Sequence, residues 1–315
     1  MPKVLLTGAT GFIGRHCLPL LLAYGWEVHA LSSRSPESMN QSESGAVWHQ
    51  VDLFDAGQVQ AVMASVQPEA LLHLAWHSTA PGGFWSTPQN FRWVQVSLEL
   101  MQAFAEQGGK RAVLAGTCAE YDWTAVGTSD LCEEYGMPLR PATLYGTCKH
   151  ALHLMVEAWA KQTGISAAWG RVFFLYGPHE HPDRLVPATI RALLSNSPAR
   201  CSSGVQVRDF MAIQDAAAAF VALLQSEVTG AVNIASGQAV AVKKVANCIG
   251  ELLQRSELIE LGALPTNADE PPFLVADVRR LRDEVGWEPH YDLQSGLETA
   301  IDWGRAAIAQ NRNER

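Results

Sequence analysis

Tyr145 and Lys149 are the residues whose types and spacing best suit chemistry in this chain of 315 residues. On a predicted helix, residues four positions apart share one face, so a phenol and an ammonium group are presented together. A neighbouring ammonium favours the phenolate and lowers the pKa of the phenol from its usual value of about 10. Tyr145 is therefore suited to exchange a proton with a carbonyl oxygen during hydride transfer.

The N-terminal segment has the glycine spacing of a turn that binds a dinucleotide. Glycines stand at positions 8, 11 and 14, after the apolar strand Val4–Leu6 and before a helical pattern. The first glycine permits a tight exit from the strand, the second lets the backbone approach a pyrophosphate, and the third lets the helix pack closely. Free amides at the helix start would then face the anion. We predict cofactor contacts from Gly8, Thr10, Gly11, Phe12, Ile13 and Gly14.

The end of the second predicted strand indicates which dinucleotide binds. An NAD site places Asp or Glu there to hold the ribose hydroxyls. This chain has Ser33 and Arg34 instead, which suit a 2′-phosphate, and Arg15 is a further candidate for the same phosphate. We predict that NADP is preferred to NAD, with the alternative that Arg34 is a solvated residue of the polar loop predicted over Arg34–Gly45.

Composition narrows the class of protein. The chain is 48% hydrophobic and only 17% charged, which suits a sheet buried on both faces. A net charge of −9 without a basic stripe predicts no nucleic-acid role, and no apolar run reaches the length of a membrane span, about 20 residues. Six scattered cysteines, without metal-ligand spacing or a signal peptide ahead of them, predict reduced thiols and a cytoplasmic location.

Apolar strand patterns alternate with helical patterns over the first 175 residues, which predicts an α/β fold with a doubly wound parallel sheet of the Rossmann type. We assign residues 1–175 to this dinucleotide-binding domain. Residues 176–315 are assigned to a smaller C-terminal α/β lobe that binds substrate, with some segments returning to the first domain. The predicted strands are Val4–Leu6, Glu27–Leu31, Val47–Val51, Ala70–Leu74, Arg111–Ala115 and Ser166–Phe174, and the predicted helices are Gly11–Tyr24, Ala56–Val66, Pro88–Gln107, Ala142–Thr163 and Pro187–Ser195.

These motifs together resemble, nearly end to end, the extended short-chain dehydrogenase/reductase family, the group of NAD(P)-dependent sugar epimerases and dehydratases. Further matches are the third-strand Val51–Leu53, the fourth-strand Leu72–Ala75, and Thr117 followed by Tyr121 after the fifth strand. The resemblance implies an oxidoreductase that transfers the pro-S hydride. It implies the catalytic residues Thr117, Tyr145 and Lys149, with Lys149 also bonding the nicotinamide ribose, and cofactor contacts from Asp52, Leu53, Leu74 and Ala75.

The resemblance also has implications for substrate and assembly. Arg208, in an Arg-Asp-Phe element, matches the arginine that contacts the diphosphate of a nucleotide sugar, and Thr117 would contact the substrate oxygen. Phe174 replaces an asparagine that helps to bind that diphosphate. The helices predicted over Pro88–Gln107 and Ala142–Thr163 match those that pair in a four-helix bundle, so a homodimer is expected.

The chain departs from the family at positions that decide the type of reaction. Dehydratases of the family carry an Asp-Glu pair directly after the active threonine, whereas this chain has Cys118 and Ala119, so dehydration is not expected. Cys118 is one step away from the cysteine of the 3,5-epimerases, and we interpret it as a buried apolar thiol. A structural role is the favoured interpretation of Glu120. The reactions that stay possible are those that need only Thr117, Tyr145 and Lys149.

Two further groups of residues allow more than one interpretation. His179 and His181 resemble a metal cluster, but a solvated loop is favoured and no metal site is expected. Trp76, Trp85 and Trp93 follow the fourth strand; core or interface packing is favoured, and lining of the substrate pocket is the alternative.

The favoured function is NADPH-dependent reduction of a keto group, at C4, on a nucleotide-linked deoxysugar, with Tyr145 as proton donor. Three alternatives stay open: an NAD-dependent nucleotide-sugar 4-epimerase, a reductase of another small carbonyl compound, and a protein that senses the cofactor without turnover.

Overall fold

Seven parallel strands form the central sheet of the computed structural model, which describes residues 1–34, 45–77, 83–127, 129–266 and 270–313. Most of the loop predicted over Arg34–Gly45 lies outside these residues. The order across the sheet is β10-β6-β5-β4-β1-β2-β3, so the chain winds outward from β1 in both directions. The strands are β1 Lys3–Thr7, β2 Glu27–Ser32, β3 Val47–Gln50, β4 Ala70–His73, β5 Arg111–Thr117, β6 Ser166–Val172 and β10 Gly230–Ile234.

Helices cover both faces of this sheet, as the Rossmann prediction requires. One core cluster packs α1 and α6 against the sheet, and another packs α2, α3 and α4. Apolar side chains such as Leu5, Leu6, Leu71 and Leu72 are fully buried between the layers. The helices are α1 Gly14–Ala23, α2 Ala56–Val66, α3 Gln89–Glu106, α4 Leu144–Thr163, α5 Leu185–Leu194, α6 Ile213–Gln225, α7 Val242–Leu253 and α8 Leu293–Asn313.

A smaller lobe is built on a second sheet. In it β9 Val207–Ala212 pairs with β11 Ala239–Ala241, β13 Phe273–Leu274 and β7 Phe174–Tyr176. The short strands β8 Ala199–Arg200 and β12 Ile259–Glu260 pair with each other. A separate core cluster lies between this sheet and helices α5, α7 and α8. Since β10 belongs to the main sheet, the chain crosses between the two parts more than once; a domain boundary at residue 175 stays a prediction.

The structure corrects three predicted element boundaries. Helix α1 begins at Gly14 rather than at Gly11, because the amide of Gly11 donates to the carbonyl of Gly8 in a preceding turn. Helix α4 begins at Leu144, where the hydroxyl of Thr143 accepts from the amide of Gly146 and caps the helix. The strand predicted over Ser166–Phe174 is two strands in different sheets, with the change of direction at Phe173.

Candidate functional site

The glycine turn lies at the C-terminal edge of the sheet, between β1 and α1. Gly8 has φ of +68°, and a Cβ atom there would lie 2.8 Å from the amide nitrogen of Ala75. A Cβ atom on Gly14 would collide with the carbonyl oxygen of Gly8. Both positions therefore require glycine, one for its conformation and both for close backbone packing. Gly11 is exposed at the tip of the turn, with Thr10, Phe12 and Ile13 half-buried around it.

A buried hydrogen-bond chain joins the turn to the segment after β4. The hydroxyl of Thr7 accepts from the amide of Ala75 at 3.2 Å, and it donates to Nδ1 of His73 at 2.7 Å because Nε2 carries the proton of the neutral ring. Nε2 of His73 then donates to Ser97, whose hydroxyl donates to the carbonyl of Trp93. Burial lowers the pKa of His73 to about 3, and the charge of Lys149 adds to this effect, so the ring is neutral.

Sequence reasoning missed this chain of contacts. Leu74 and Ala75, predicted as cofactor contacts, follow His73 at the same edge of the sheet, and both are half-buried. Thr7 and His73 fix the backbone that carries them. The sequence gives no pairing signal between Thr7, His73 and Ser97, because their contacts depend on the register of β1 against β4 and on the packing of α3.

Thr117 and Tyr145 meet at the end of β5. The amide of Thr117 donates to Oε1 of Glu120 at 2.9 Å, and its hydroxyl accepts from the amide of Ala119 at 3.2 Å. This reciprocal cap fixes Thr117 at the start of a short 3₁₀ turn, Cys118–Glu120. The Thr117 side chain is also in hydrogen-bonding contact with the phenol of Tyr145.

Burial dominates the protonation of Tyr145 in the free protein. It raises the pKa of the phenol, although the hydrogen bond from Thr117 acts in the opposite direction. The sequence argument, which expected Lys149 to lower this pKa, is corrected here, because desolvation of the phenolate is the larger effect. Tyr145 therefore carries its proton at neutral pH, which is the form that a proton donor needs.

Lys149 lies one helical turn beyond Tyr145 and is buried. Its Nζ donates to the carbonyl oxygen of Ala115 at 2.7 Å and lies 3.8 Å from the ring centroid of Trp76. Burial lowers the pKa of Lys149 to about 7, and the charge of Glu120 opposes that shift. A cation over an indole face is stabilised by the ring quadrupole. Trp76 follows Ala75 directly, so the glycine turn, the β4 segment and the triad form one continuous surface.

Aromatic rings surround Tyr145. The phenol ring meets Phe84, Trp85 and Trp76 edge-on, at centroid distances of 5.1, 5.6 and 6.3 Å. The amide of Tyr145 donates to the carbonyl of Trp85 at 3.0 Å, which fixes the loop before α3 against α4. Two of the three tryptophans assigned to core or interface packing thus line the candidate site, because that loop folds over the start of α4.

Among the described residues, two arginines lie at the other end of this edge of the sheet, beside β2; the groove along the edge, from the triad to these arginines, is called the cleft below. Ser33 and Arg34 are exposed directly after the strand, and Arg34 lies close enough for its charge to lower the pKa of Arg15, an effect secondary to that of burial. Arg15 itself is held by the carbonyls of Thr10 and Gly11. Guanidinium groups are suitable donors for an anion such as a phosphate.

The predicted adenine contacts are placed at the start of the next loop. Asp52 is exposed, and its Oδ1 accepts from the amide of Phe54 at 3.0 Å in a tight turn. The cap of α2 is Asp55 rather than Asp52. Asp52 keeps its second carboxylate oxygen for other partners, and Leu53 beside it is half-buried.

Arg208 is more constrained than its predicted role suggests. Its side chain is buried, and it donates to the carbonyls of Val207 and Pro271 and to the carboxylate of Glu270. The guanidinium lies 5.4 Å from the ring centroid of Phe174. It also acts electrostatically on Cys118, so Arg208 belongs to the wall of the lobe that faces the end of β5. Contact with a substrate stays a prediction.

Cys118 is buried, as predicted, and burial raises the pKa of its thiol. All six cysteines are free thiols. His179 and His181 do not form a pair: the ring of His179 faces Trp303 at 5.1 Å and His16 at 6.1 Å, whereas Nδ1 of His181 accepts from the amide of Asp183.

Glu120, His150 and His153 each bring one ligand atom within 4.8 Å of the others. The Glu120 carboxylate is already engaged by the buried Arg171 guanidinium, whose positive charge opposes cation binding. This cluster is therefore interpreted as an interior polar network.

The residues present fit a nicotinamide dinucleotide along this edge. The backbone of the glycine turn is packed against Ala75 so closely that side chains are excluded, which leaves a cradle for a pyrophosphate. The buried triad lies at one end of the edge and the arginine pair at the other. A Rossmann sheet with such an edge is typical of proteins that bind a dinucleotide.

Comparison with known proteins identifies the family. Residues 4–235 match the model of the NAD dependent epimerase/dehydratase family, and the chain belongs to that family. It is thus an enzyme of the extended short-chain dehydrogenase/reductase type, in a family that uses a nicotinamide dinucleotide and modifies nucleotide sugars.

Several characterised proteins are similar to the chain over nearly its whole length. UDP-glucuronic acid decarboxylase 1 of Xenopus tropicalis is 26% identical over 99% of this chain and 74% of its own length. MoeE5, solved with UDP-glucose and NAD, is 28% identical, with a TM-score of 0.82 over 97% of this chain and 99% of its own. UDP-glucose 4-epimerase of Thermotoga maritima, solved with UDP-glucose, has a TM-score of 0.86 at 20% identity over 97% and 99% of the two chains.

Among the described residues, no helix is both long and apolar enough to cross a membrane.

Proposed function

We propose that this protein reduces a keto group at C4 of a nucleotide-linked deoxysugar with NADPH. The observation that carries the proposal is the pairing of a complete Thr117, Tyr145 and Lys149 triad with two guanidinium groups, Arg15 and Arg34, at the β2 end of the cleft. The triad supports hydride chemistry at a carbonyl, and the arginines support the phosphate that distinguishes NADP from NAD.

The roles of the triad follow from its contacts. Bound nicotinamide would supply the hydride to the carbonyl carbon. Tyr145 holds its proton at neutral pH and donates it to the carbonyl oxygen as negative charge develops there. Thr117, in contact with the same phenol, orients that oxygen. The ammonium of Lys149 donates to the carbonyl of Ala115, and its charge stabilises the phenolate that is left after proton donation.

The surroundings of Thr117 argue against dehydration. Elimination of water needs an acid that protonates the leaving hydroxyl, and neither Cys118 nor Ala119 is one. The carboxylate nearest in sequence, Glu120, is fully buried and bonded to Arg171, Trp169 and the backbone of Thr117. Chemistry that needs only one proton donor is therefore favoured.

The aromatic wall supports a sugar with apolar character near the reacting carbon. Phe84 and Trp85 pack edge-on against Tyr145, so the groups of the substrate next to its carbonyl would contact ring surfaces. A deoxy carbon suits such a surface better than a charged group does. Arg208 would hold the diphosphate on the side of the smaller lobe.

We also propose a homodimer formed through α3 and α4. These helices pack against each other and leave Phe91, Leu154 and Met155 exposed, at 60%, 52% and 38% of their surfaces. Size-exclusion chromatography with light scattering tests this: a dimer mass that becomes a monomer mass in Phe91→Glu/Leu154→Glu supports it, and a monomer mass for the unaltered protein contradicts it.

The test of function is a paired assay of cofactor and turnover. Purified protein is denatured and its released nucleotides are identified by mass spectrometry; NADPH oxidation is then followed with dTDP-4-keto-6-deoxyglucose. Steady oxidation that is absent in Tyr145→Phe supports the reductase. Oxidation only with simple aldehydes or ketones would move the assignment to another carbonyl substrate, and binding without turnover would indicate a sensor.

The similarity to UDP-glucose 4-epimerase of Corynebacterium glutamicum, 25% identical over 95% of this chain and 94% of its own length, favours one other candidate, a 4-epimerase. Such an enzyme keeps NAD bound and regenerates it in each turnover. Tightly held NAD in the denatured sample, with conversion of UDP-glucose to UDP-galactose and no net NADPH consumption, would favour the epimerase over the reductase.

A further inference from the structure

Glu120 has a position that the chemistry of the triad does not explain. It is the last residue of the 3₁₀ turn after β5, three positions beyond Thr117, and its side chain is completely inaccessible to solvent. A charged side chain is rarely buried to this extent without specific partners. Its carboxylate occupies the space that a side chain at position 116 would need, since a Cβ atom on Gly116 would lie 2.7 Å from Oε1 of Glu120.

Three donors engage the carboxylate. Oε1 accepts from the amide of Thr117 at 2.9 Å and from the indole of Trp169 at 2.8 Å. Oε2 accepts from Nε of Arg171 at 3.0 Å, and that guanidinium is also fully buried. Trp169 and Arg171 are two residues apart on β6 and so present their side chains to the same face. Glu120 thus ties the backbone of Thr117 to the neighbouring strand.

The charge of Glu120 also reaches the other two members of the triad. It raises the pKa of Lys149, against the larger lowering by burial, and it raises the pKa of Tyr145 in the same direction as burial does. The titratable and charged groups that face this carboxylate are Arg171 from β6, Cys118 from the turn, and Tyr145, Lys149, His150 and His153 from α4, while His73 from β4 faces Lys149.

The neighbouring histidines do not supply a competing charge. Burial lowers the pKa of His73 to about 3 and that of His153 to about 4, and burial also lowers the pKa of His150. The charged groups close to Lys149 at neutral pH are therefore Glu120 and, through it, Arg171. Arg171 bonds Oε2, which lies 4.0 Å from Nδ1 of His153 on α4. Oε1 is left on the side of Lys149: it accepts from the indole of Trp169, whose ring centroid lies 5.9 Å from Nζ of Lys149.

We propose that Glu120 is a positioning residue of the active site, which fixes the backbone of Thr117 and places a buried negative charge near Lys149. The inference rests on the proposed function only in treating Thr117 and Lys149 as catalytic. The site then consists of the triad, the Glu120 carboxylate that supports the triad, and the Arg171 guanidinium that holds this carboxylate.

Trp76 provides a readout that needs no substrate. Its ring lies 3.8 Å from the Lys149 ammonium, so loss of the Lys149 proton changes its emission. The signal of Trp76 is obtained as the difference in fluorescence between the unaltered protein and Trp76→Phe, titrated from about pH 5 to about pH 10. Lys149→Met is the control that must abolish the titration.

Glu120→Gln removes the charge and keeps the size of the side chain. We expect the midpoint of the Trp76 titration to fall by about one pH unit. Glu120→Asp keeps the charge, and the midpoint of its titration stays within about 0.3 pH units of the midpoint of the unaltered protein. A folded Glu120→Gln variant with an unchanged midpoint overturns the proposal, as does an Asp variant that shifts as far as the Gln variant.

A second variant covers the case in which Glu120→Gln does not fold. Glu120→Gln/Arg171→Gln replaces both members of the buried pair by amides, and neutral replacement of a buried ion pair is often tolerated. The midpoint should fall by less than in Glu120→Gln, because the opposing charge of Arg171 is removed as well, and an unchanged midpoint contradicts the proposal.

The kinetic consequence is measured separately. In Glu120→Gln the alkaline limb of kcat for NADPH oxidation moves to lower pH, while the Kd of NADPH changes less than about twofold. If the unaltered protein oxidises no NADPH at all, the proposed function fails, whereas the Trp76 titration still decides the role of Glu120.

Discussion

The two ends of the cleft differ in whether their charged groups are buried and paired within the protein. At the triad end, charges are buried and matched: Arg171 holds Glu120, and Lys149 is placed on a carbonyl and an indole face. At the β2 end, Arg15 and Arg34 approach each other near solvent, and Arg34 is not matched there by an acidic residue of the strand end. The charges of the first end are matched within the protein, whereas under the proposed function those of the second are matched by the phosphate of NADP.

This difference indicates which residues determine the reactivity of the enzyme and which determine its choice of cofactor. Reactivity depends on groups fixed by the core, so substitutions there affect rate, pH dependence and folding together. Under the proposed function, cofactor choice depends on Arg15 and on the exposed Arg34, so substitution of Arg34 affects affinity alone. Four predictions, from the largest expected effect to the smallest, test this division.

Tyr145→Phe removes the proton donor and keeps the aromatic packing. We expect kcat to fall by about 10²- to 10⁴-fold, since that is the usual contribution of a positioned general acid. Affinity for NADPH, measured by fluorescence titration, should change little. A variant that keeps a tenth or more of the activity would show that another group donates the proton.

Arg34→Glu reverses a charge at the β2 end. We expect the Kd of NADPH to rise about 10- to 100-fold, because a charge-assisted hydrogen bond is lost and a repulsion is added, while NADH binding is unchanged or improved. Arg255→Glu, at an exposed arginine beyond α7, is the matched control. Equal losses for both cofactors would mean that Arg34 does not contact the 2′-phosphate.

Reduction should slow above about pH 7. Burial lowers the pKa of Lys149 to about 7, so its ammonium is present below that pH and is lost as the pH rises. His73 and His153, with pKa values of about 3 and 4, do not titrate in this range. The measurement is kcat/KM against pH in the reducing direction, and a profile that is level to about pH 9 contradicts the assignment of Lys149.

Ser97→Ala tests the positioning chain behind the β4 segment. It leaves Nε2 of His73 without its acceptor inside the protein, at a cost of about 1–3 kcal/mol in the free energy of unfolding. Ser65→Ala, at an exposed helix position, should cost less than about 0.5 kcal/mol. Urea denaturation measures both. Equal stabilities would show that water replaces the lost contact.

Much of the fold could be predicted, because the periodicity of apolar residues and the positions of glycines indicate where strands and helices lie. The strands β1, β2, β4 and β5 and the helices α2 to α4 lie where the pattern put them, within three residues. The start of α1 was wrong because a turn from Gly8 to Gly11 has the same composition as a first helical turn. The break at Phe173 was missed because two short apolar strands read as one long strand.

The structure brings the predicted catalytic residues together, and their catalytic roles stay a prediction; the surroundings of the site were not predicted. A motif identifies Tyr145 and Lys149, since their spacing is local. No local signal indicates that Trp85 folds onto Tyr145, or that His73 bonds Ser97, because those contacts join segments distant in sequence. The raised pKa of the Tyr145 phenol also needed the structure, since desolvation depends on packing.

The most direct test of the proposed activity follows the hydride itself. The protein is incubated with dTDP-4-keto-6-deoxyglucose and NADPH that carries deuterium at the pro-S position of C4, and the sugar is analysed by mass spectrometry and NMR. The account predicts one deuterium, at C4 of the sugar, with one NADP produced for each. A sugar product without deuterium, or unchanged NADPH beside retained NAD, would contradict it.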